Sequence, residues 1–258
     1  MSISVILITK NEAANLQACL QTVAFANEII VVDNGSTDDT AKIAANAGAQ
    51  FYPTDDWPGF GPQKNRALAH ASSDWVLSID ADEQLSPDLI QEIQAIVFAK
   101  TTSAPLHTAY DLPRLTQFCG VWIHHCGWTP DRVLRLFKRN SAQFSDDMVH
   151  ERLVLHTASQ PIGRLKGQLL HWSYPTPAHY WQKLQRYSHD WALARYARGQ
   201  RTTMWRAGAA AAVAFVRSYV LRLGFLDGGM GFAVCVMQAQ AAFGKYFELY
   251  CLNQRDKL

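Results

Sequence analysis

A chain of 258 residues, 48% hydrophobic and with eight tryptophans, is too apolar for disorder and long enough to bury a core of its own. Its net charge of +2 selects no partner, but the distribution of charge does. Residues 1–100 hold five Lys/Arg against thirteen Asp/Glu, and residues 178–226 hold eight against the single acid Asp190, so an acidic front suited to a divalent cation precedes a basic stretch suited to an anionic surface.

Met1–Thr9 is too short an apolar run for an export signal, and Lys10 and Glu12 follow it at once. Ser2–Thr9 instead reads as a strand covered on both faces, because its apolar run is continuous and β-branched. A helix is expected over Asn11–Leu20, then a second buried strand over Glu28–Asp33 that ends in an acid. Ser36, with Asp39 three residues on, has the spacing of a capping box for a helix reaching Ala47. A short strand at Gln50–Tyr52, a helix at Gly61–Ala71 and a strand at Asp74–Ile79 follow. That last strand runs directly into Asp80, Ala81, Asp82 and Glu83. Ser86-Pro87 then sets an N-cap followed by proline at the first helical position. Alternation of this kind predicts the α/β class with a parallel sheet.

Beyond residue 100 the rhythm changes. Strand-like runs at Ala109–Leu115, Val133–Phe137, Glu151–Leu155 and Gln168–His171 are expected to add mixed or antiparallel strands at the edge of the sheet. From Pro177 the pattern is helical and aromatic, broken at Gly199-Gln200 and around Leu226–Gly229. Ala207–Val216 and Gly228–Gly244 are uncharged but shorter than the eighteen or more apolar residues of a spanning helix. An interfacial helix fits better, with arginines at headgroup level and Trp205, Phe215, Tyr219 and Leu223 at the acyl boundary. The five cysteines are scattered, as in a reducing compartment. Cys119 and Cys126 bracket His124 and His125 without the tight paired spacing of a structural zinc site.

The chemistry concentrates in acids at the ends of successive strands, the edge at which open α/β sheets bind ligands. Asp33 ends the second strand and leads into Asn34-Gly35-Ser36. Asp80 and Asp82 follow the fourth, two residues apart, so that extended backbone turns both carboxylates the same way. Mg²⁺ or Mn²⁺ takes hard oxygen ligands, few of them from protein and the rest from phosphates and water, and an Asp-x-Asp at a strand end supplies that arrangement.

In order and spacing, SVILITKNE, EIIVVDNGSTDDT, GPQKNRAL and VLSIDADE resemble a family 2 inverting glycosyltransferase. The resemblance covers essentially the first 100 residues. RVLRLFKR, MVHERL, LLHWSY and LGFLDGGMGF further on are similar to one subgroup, the bacterial lipopolysaccharide core β-glucosyltransferases. The implied fold is of the GT-A type, a nucleotide-diphospho-sugar-binding α/β fold with a mixed central sheet, here followed by a C-terminal helical extension. The implied layout is a transferase domain over 1–176, with 1–100 on the donor side and 101–176 on the acceptor side. A basic, membrane-associating extension then covers 177–258.

Carried onto this sequence, the resemblance places Thr9, Glu12 and Asp33 at the base and ribose, Lys64 against base or diphosphate, and Asp80 near the ribose. Asp82 is expected to hold Mg²⁺ or Mn²⁺, with His171 reaching back to complete the metal shell. An inverting displacement needs a carboxylate to take the proton of the attacking hydroxyl. Glu151 is the expected base, with Asp147 and His150 as substitutes. Arg135, His150 and Trp172 are candidates for diphosphate or acceptor contact. The expected partners are a nucleotide sugar, UDP-glucose first, a lipid-linked glycan acceptor and the inner membrane surface. No nucleic acid is expected, and a homo-oligomer is compatible. The expected location is cytoplasmic, peripheral on the inner face of the cytoplasmic membrane. Two rival readings keep the fold: a polyprenyl-phosphate sugar transferase, whose phosphate nucleophile needs no base, and a non-catalytic nucleotide-sugar-binding protein.

Overall fold

The computed structural model describes residues 1–98, 107–146, 151–157 and 161–255. Its first hundred residues alternate as the sequence predicts: β1 (Ile3–Thr9), α1 (Ala13–Thr22), β2 (Glu28–Asp33), α2 (Thr40–Asn46), β3 (Gln50–Pro53), α3 (Phe60–His70) and β4 (Trp75–Ser78). β5 (Glu83–Leu85) and α4 (Pro87–Val97) complete this part. β1 pairs in parallel with β2 on one side and β4 on the other, and β3 lies parallel to β2. The carboxyl ends of these four strands therefore share one edge, which is what positions the site.

β1 is covered on both faces, as its unbroken apolar run requires. Ile3, Val5 and Leu7 pack in one cluster with Leu16 of α1 and Leu89 and Ile93 of α4, whereas Ile6 packs with Ala67 of α3, Val76 and Phe137 in another. α4 starts where proline and serine place it: the Ser86 hydroxyl accepts from the Leu89 N–H at 3.3 Å and Pro87 opens the first turn.

The later strands are β6 (Ala109–Phe118), β7 (Val121–Trp122), β8 (Asp131–Lys138), β9 (Ala142–Phe144), β10 (Leu153–Leu155), β11 (Gly163–Arg164) and β12 (Leu169–Tyr174). The main sheet runs β3-β2-β1-β4-β8-β6-β12-β5. β8 is antiparallel to β4, β6 to β8, and β5 to β12. The helices α5 (Pro177–Ala197), α6 (Met204–Val216) and α7 (Gly228–Arg255) follow, with a π-helical stretch at Arg217–Leu221 and a 3₁₀ turn at Gly224–Asp227 between the last two. The class is α/β with a mixed sheet and a helical C-terminal part.

Two expectations are corrected. Ser36 does not cap α2: its N–H and hydroxyl both turn back onto the Asp33 carboxylate, at 2.7 and 2.6 Å, and the helix starts only at Thr40. The run at Glu151–Leu155 does not extend the main sheet either. Its strand is confined to Leu153–Leu155, which pairs with β9 in a separate two-stranded sheet.

The chain divides into two compact units, Met1–Arg114 with Asp131–His171, and Leu115–Pro130 with Trp172–Leu258. The first contains the parallel strands and α1–α4. The second has its own core, in which Phe118, Ile123 and Cys126 pack with Tyr180 of α5 and Val234, Cys235 and Met237 of α7. Among the described residues no single helix is long and apolar enough to cross a membrane.

Candidate functional site

Parallel pairing brings the first two site positions side by side. Thr9 and Asp33 are register partners at the ends of β1 and β2, and the Thr9 hydroxyl donates to Asp33 Oδ1 at 2.7 Å. With both Ser36 donors added, the Asp33 carboxylate is 2% exposed and closes the turn after β2. The loops after β1 and β2 are laced together by side chains the sequence reading passed over. Asn11 Oδ1 accepts from the Thr37 N–H at 2.8 Å, and the Thr40 hydroxyl accepts from the Glu12 N–H at 2.9 Å. Asn11 sits at φ 56°, a left-handed conformation that asparagine tolerates better than most residues. Glu12 caps this corner at the start of α1, its Oε2 accepting from Asn15 Nδ2 at 3.0 Å.

Around Asp80 the charges alternate. Lys64 of α3 reaches Asp80 Oδ1 at 3.0 Å and Glu151 Oε1 at 2.7 Å. Arg135 of β8 binds Asp80 Oδ2 at 2.6 Å and Glu83 Oε1 at 3.1 Å. Arg114 of β6 continues from Glu83 at 3.4 Å to Asp131 at 2.7 Å. Seven groups thus form one chain, Glu151–Lys64–Asp80–Arg135–Glu83–Arg114–Asp131. Burial by itself would raise the Asp80 carboxyl, but Arg135 and Lys64 outweigh it and hold it well below the usual carboxylate range. Asp80 still keeps 32% of its side chain exposed, so the pairing does not bury it from a ligand.

Glu83 and Arg114 were not among the sequence candidates. Glu83 is fully buried and also accepts from the Asp80 N–H at 2.9 Å, which fixes the backbone turn between the two aspartates. Its only signal in the sequence was its place in the run Asp80–Glu83. Cys19 of α1 lies beneath this turn, with its Sγ 3.6 Å from the Asp80 carbonyl. Burial first, then the negative charges of Glu83, Asp82 and Asp80, push its thiol well up.

Asp82 stands beside His171, with Oδ2 3.3 Å from Nε2. His171, expected at a strand end, lies instead inside β12, which runs on to Tyr174. Among the described residues no three His, Cys, Asp or Glu side chains form a ready-made cage. Mg²⁺ usually takes only one or two carboxylates and completes its shell with phosphate oxygens and water, and imidazole nitrogen suits Mn²⁺. One carboxylate beside one imidazole is a donor set of that kind, and it fits a cation carried in with a diphosphate.

The remaining candidates divide. Glu151 joins the charge chain through Lys64. Asp147 and His150 lie outside the described residues. None of these contacts includes Trp172, which belongs to the second unit and packs edge-on against Trp122 with ring centroids 5.1 Å apart.

Residues 4–106 match the family described as glycosyl transferase family 2. The chain is 30% identical to an uncharacterized glycosyltransferase of Rickettsia prowazekii over 99% of its own length and 89% of that protein's. It is 26% identical to the lipopolysaccharide core biosynthesis glycosyltransferase LpsC of Rhizobium meliloti, over all of this chain and 96% of that one. Among solved structures, glucosyl-3-phosphoglycerate synthase of Mycobacterium tuberculosis, in complex with Mn²⁺, UDP and glucosyl-3-phosphoglycerate, is 27% identical. That match covers 45% of this chain and 44% of that one, with a TM-score of 0.35.

Proposed function

The chain belongs to glycosyl transferase family 2 and is a glycosyltransferase; from that premise we propose that it transfers a sugar, glucose first among the candidates, from a nucleotide-diphosphate donor to a lipopolysaccharide inner-core or related cell-surface acceptor, with inversion. The observation that carries the donor side is the gathering of Asp33, Asp80 and Asp82 at one edge of parallel strands, with His171 beside Asp82. Asp33 shapes the turn that would receive the base, and Asp80 lies between two cations at the ribose position. Asp82 and His171 would hold Mg²⁺ or Mn²⁺, which offsets the charge of the departing diphosphate. The relationship to LpsC supports the acceptor class. The basic composition of the C-terminal helices supports a peripheral position on the inner membrane face, beside a lipid-linked acceptor.

Glu151 would take the proton of the acceptor hydroxyl. Its 2.7 Å pair with Lys64 gives weight to a second reading, in which that carboxylate only orders the lysine and the nucleophile is a polyprenyl phosphate. Assays with UDP-glucose, Mn²⁺ and phosphorylated core oligosaccharides separate the two. Asp82→Asn is expected to lower nucleoside diphosphate release by at least about a hundredfold in either case. Glu151→Gln is expected to lower it by about 10²–10⁴-fold if Glu151 is the base. Near-normal turnover by Glu151→Gln, with transfer to polyprenyl phosphate alone, would establish the second reading. A product that keeps the donor's anomeric configuration would overturn inversion.

A further inference from the structure

The helices of the second unit line an open cavity of about 910 Å³, and Arg206, Arg217 and Arg222 on it are exposed. Five cations line it: Arg195 of α5, Arg206 of α6, Arg217 and Arg222 of the segment after α6, and Lys245 of α7. No carboxylate lines it, and among the described residues none of the five stands in an ion pair. Two acids of this unit are engaged elsewhere: Asp227 with His125 at 2.7 Å, and Glu248 with His189. Like charges lining one space repel, and an anion relieves that repulsion. Arg195 lies 4.1 Å over the Trp191 ring and Arg206 lies 5.5 Å over that of Tyr246. A guanidinium held beside an aromatic ring in this way has five N–H donors with which to grip phosphate oxygens.

Small apolar residues, Ala210 and Ala214 of α6 and Ala241 of α7, line it as well, beside Trp191, Tyr246 and Gln238. Next to it in the chain, the break between α6 and α7 exposes Val216, Val220, Leu221, Leu223, Phe225 and Leu226, each 45–71% accessible. Apolar surface of this extent on a soluble domain marks an interaction site. Arg217 and Arg222 lie within that same stretch, so phosphate-binding groups and acyl-chain partners alternate along it. The unit as a whole holds eleven Lys/Arg against four Asp/Glu.

We infer that this cavity binds the phosphate headgroup of an anionic membrane phospholipid, with the apolar break between α6 and α7 lying among the acyl chains. The inference rests on the membrane part of the proposed function and not on the sugar-transfer part. It goes further in assigning lipid recognition to a built site rather than to diffuse positive charge.

Vesicle binding without nucleotide sugar tests it, using the full chain and vesicles of phosphatidylglycerol in phosphatidylcholine. Paired variants of equal charge change are compared: Arg217→Gln with Lys245→Gln, which line the cavity, and Arg186→Gln with Arg198→Gln of α5 and its end, which do not. Diffuse attraction contributes nearly equally per cation, so it predicts equal losses. A headgroup site predicts that the cavity pair weakens binding at least tenfold more than the surface pair. It also predicts that Ala214→Leu, which fills the cavity with no change of charge, weakens binding at least fivefold while melting like the wild type. Equal losses from the two pairs, with Ala214→Leu at wild-type affinity, would overturn the site and leave the membrane reading standing. No binding to anionic vesicles at all would remove both, and transferase activity would be unaffected as evidence. Inorganic phosphate or a soluble phosphorylated oligosaccharide binding the cavity as tightly as vesicles do would overturn the assignment to lipid.

Discussion

Asp80 is held by two cations because two different elements deliver them, Lys64 from α3 and Arg135 from β8. Arg135 also neutralises the fully buried Glu83, and a lone buried charge is far more costly than a buried pair. Arg135→Met is therefore expected to lower the unfolding free energy by about 3 kcal/mol in urea titrations near neutral pH. The pH dependence follows from the depressed Asp80 carboxyl. Its contribution is complete above the unfolded carboxylate value of about 3.9 and is lost as pH falls through the lower folded value. Asp80 should accordingly stay ionised in the folded wild type down to below about pH 4, as followed by the NMR shift of its side-chain carboxyl; protonation already between pH 7 and 5 contradicts the assignment. Cys19 offers a second reading of the same electrostatics. Burial and the surrounding acids disfavour its thiolate, so alkylation of the folded protein should spare Cys19 while the exposed Cys251 reacts. Mass mapping after iodoacetamide treatment checks it, and rapid labelling of Cys19 would show that the acid cluster is open around it.

At the level of elements, α3 depends on Gly61. A Cβ there would fall on the Ser145 carbonyl oxygen, which belongs to backbone and has little room to move. Gly61→Ala should cost about 1–3 kcal/mol of stability and displace Ser145 and, with it, Glu151, whose Cβ is also a neighbour. A variant as stable and active as the wild type would show that the Ser145 carbonyl yields freely. This contact was not legible in the sequence, because it joins residues more than eighty positions apart. The buried strands were legible. Runs such as Glu28–Asp33 are continuous and β-branched, and such runs have one stable use in an α/β chain. Ser36 shows where local signals mislead: its spacing to Asp39 suits a cap, yet the carboxylate of Asp33 is nearer and charged, and takes both its donors. β5 was missed because three residues are too few for any periodicity.

Across the whole molecule, the site's acids were legible because parallel topology turns strand order into spatial order: any residue that ends β1, β2 or β4 must arrive at one edge. What periodicity could not supply was the cation partners. Arg114 and Arg135 come from antiparallel strands whose register depends on pairings beyond residue 100. Nor does sequence continuity show that Leu115–Pro130 joins the C-terminal helices in one unit. Charge balance does mark the division: the unit that contains α5–α7 has eleven Lys/Arg against four Asp/Glu, and the unit that contains the candidate site has thirteen against eighteen.

The central claim is that Asp82 and His171 supply the protein's share of a cation shell that a diphosphate completes. Calorimetric titration of UDP into the wild type and into Asp82→Asn, each with and without Mn²⁺, tests it most directly. Wild-type protein should bind UDP at least tenfold more tightly with Mn²⁺ than without, and Asp82→Asn should abolish that difference while melting like the wild type. UDP affinity that ignores Mn²⁺, or a metal dependence that survives Asp82→Asn, would contradict the account.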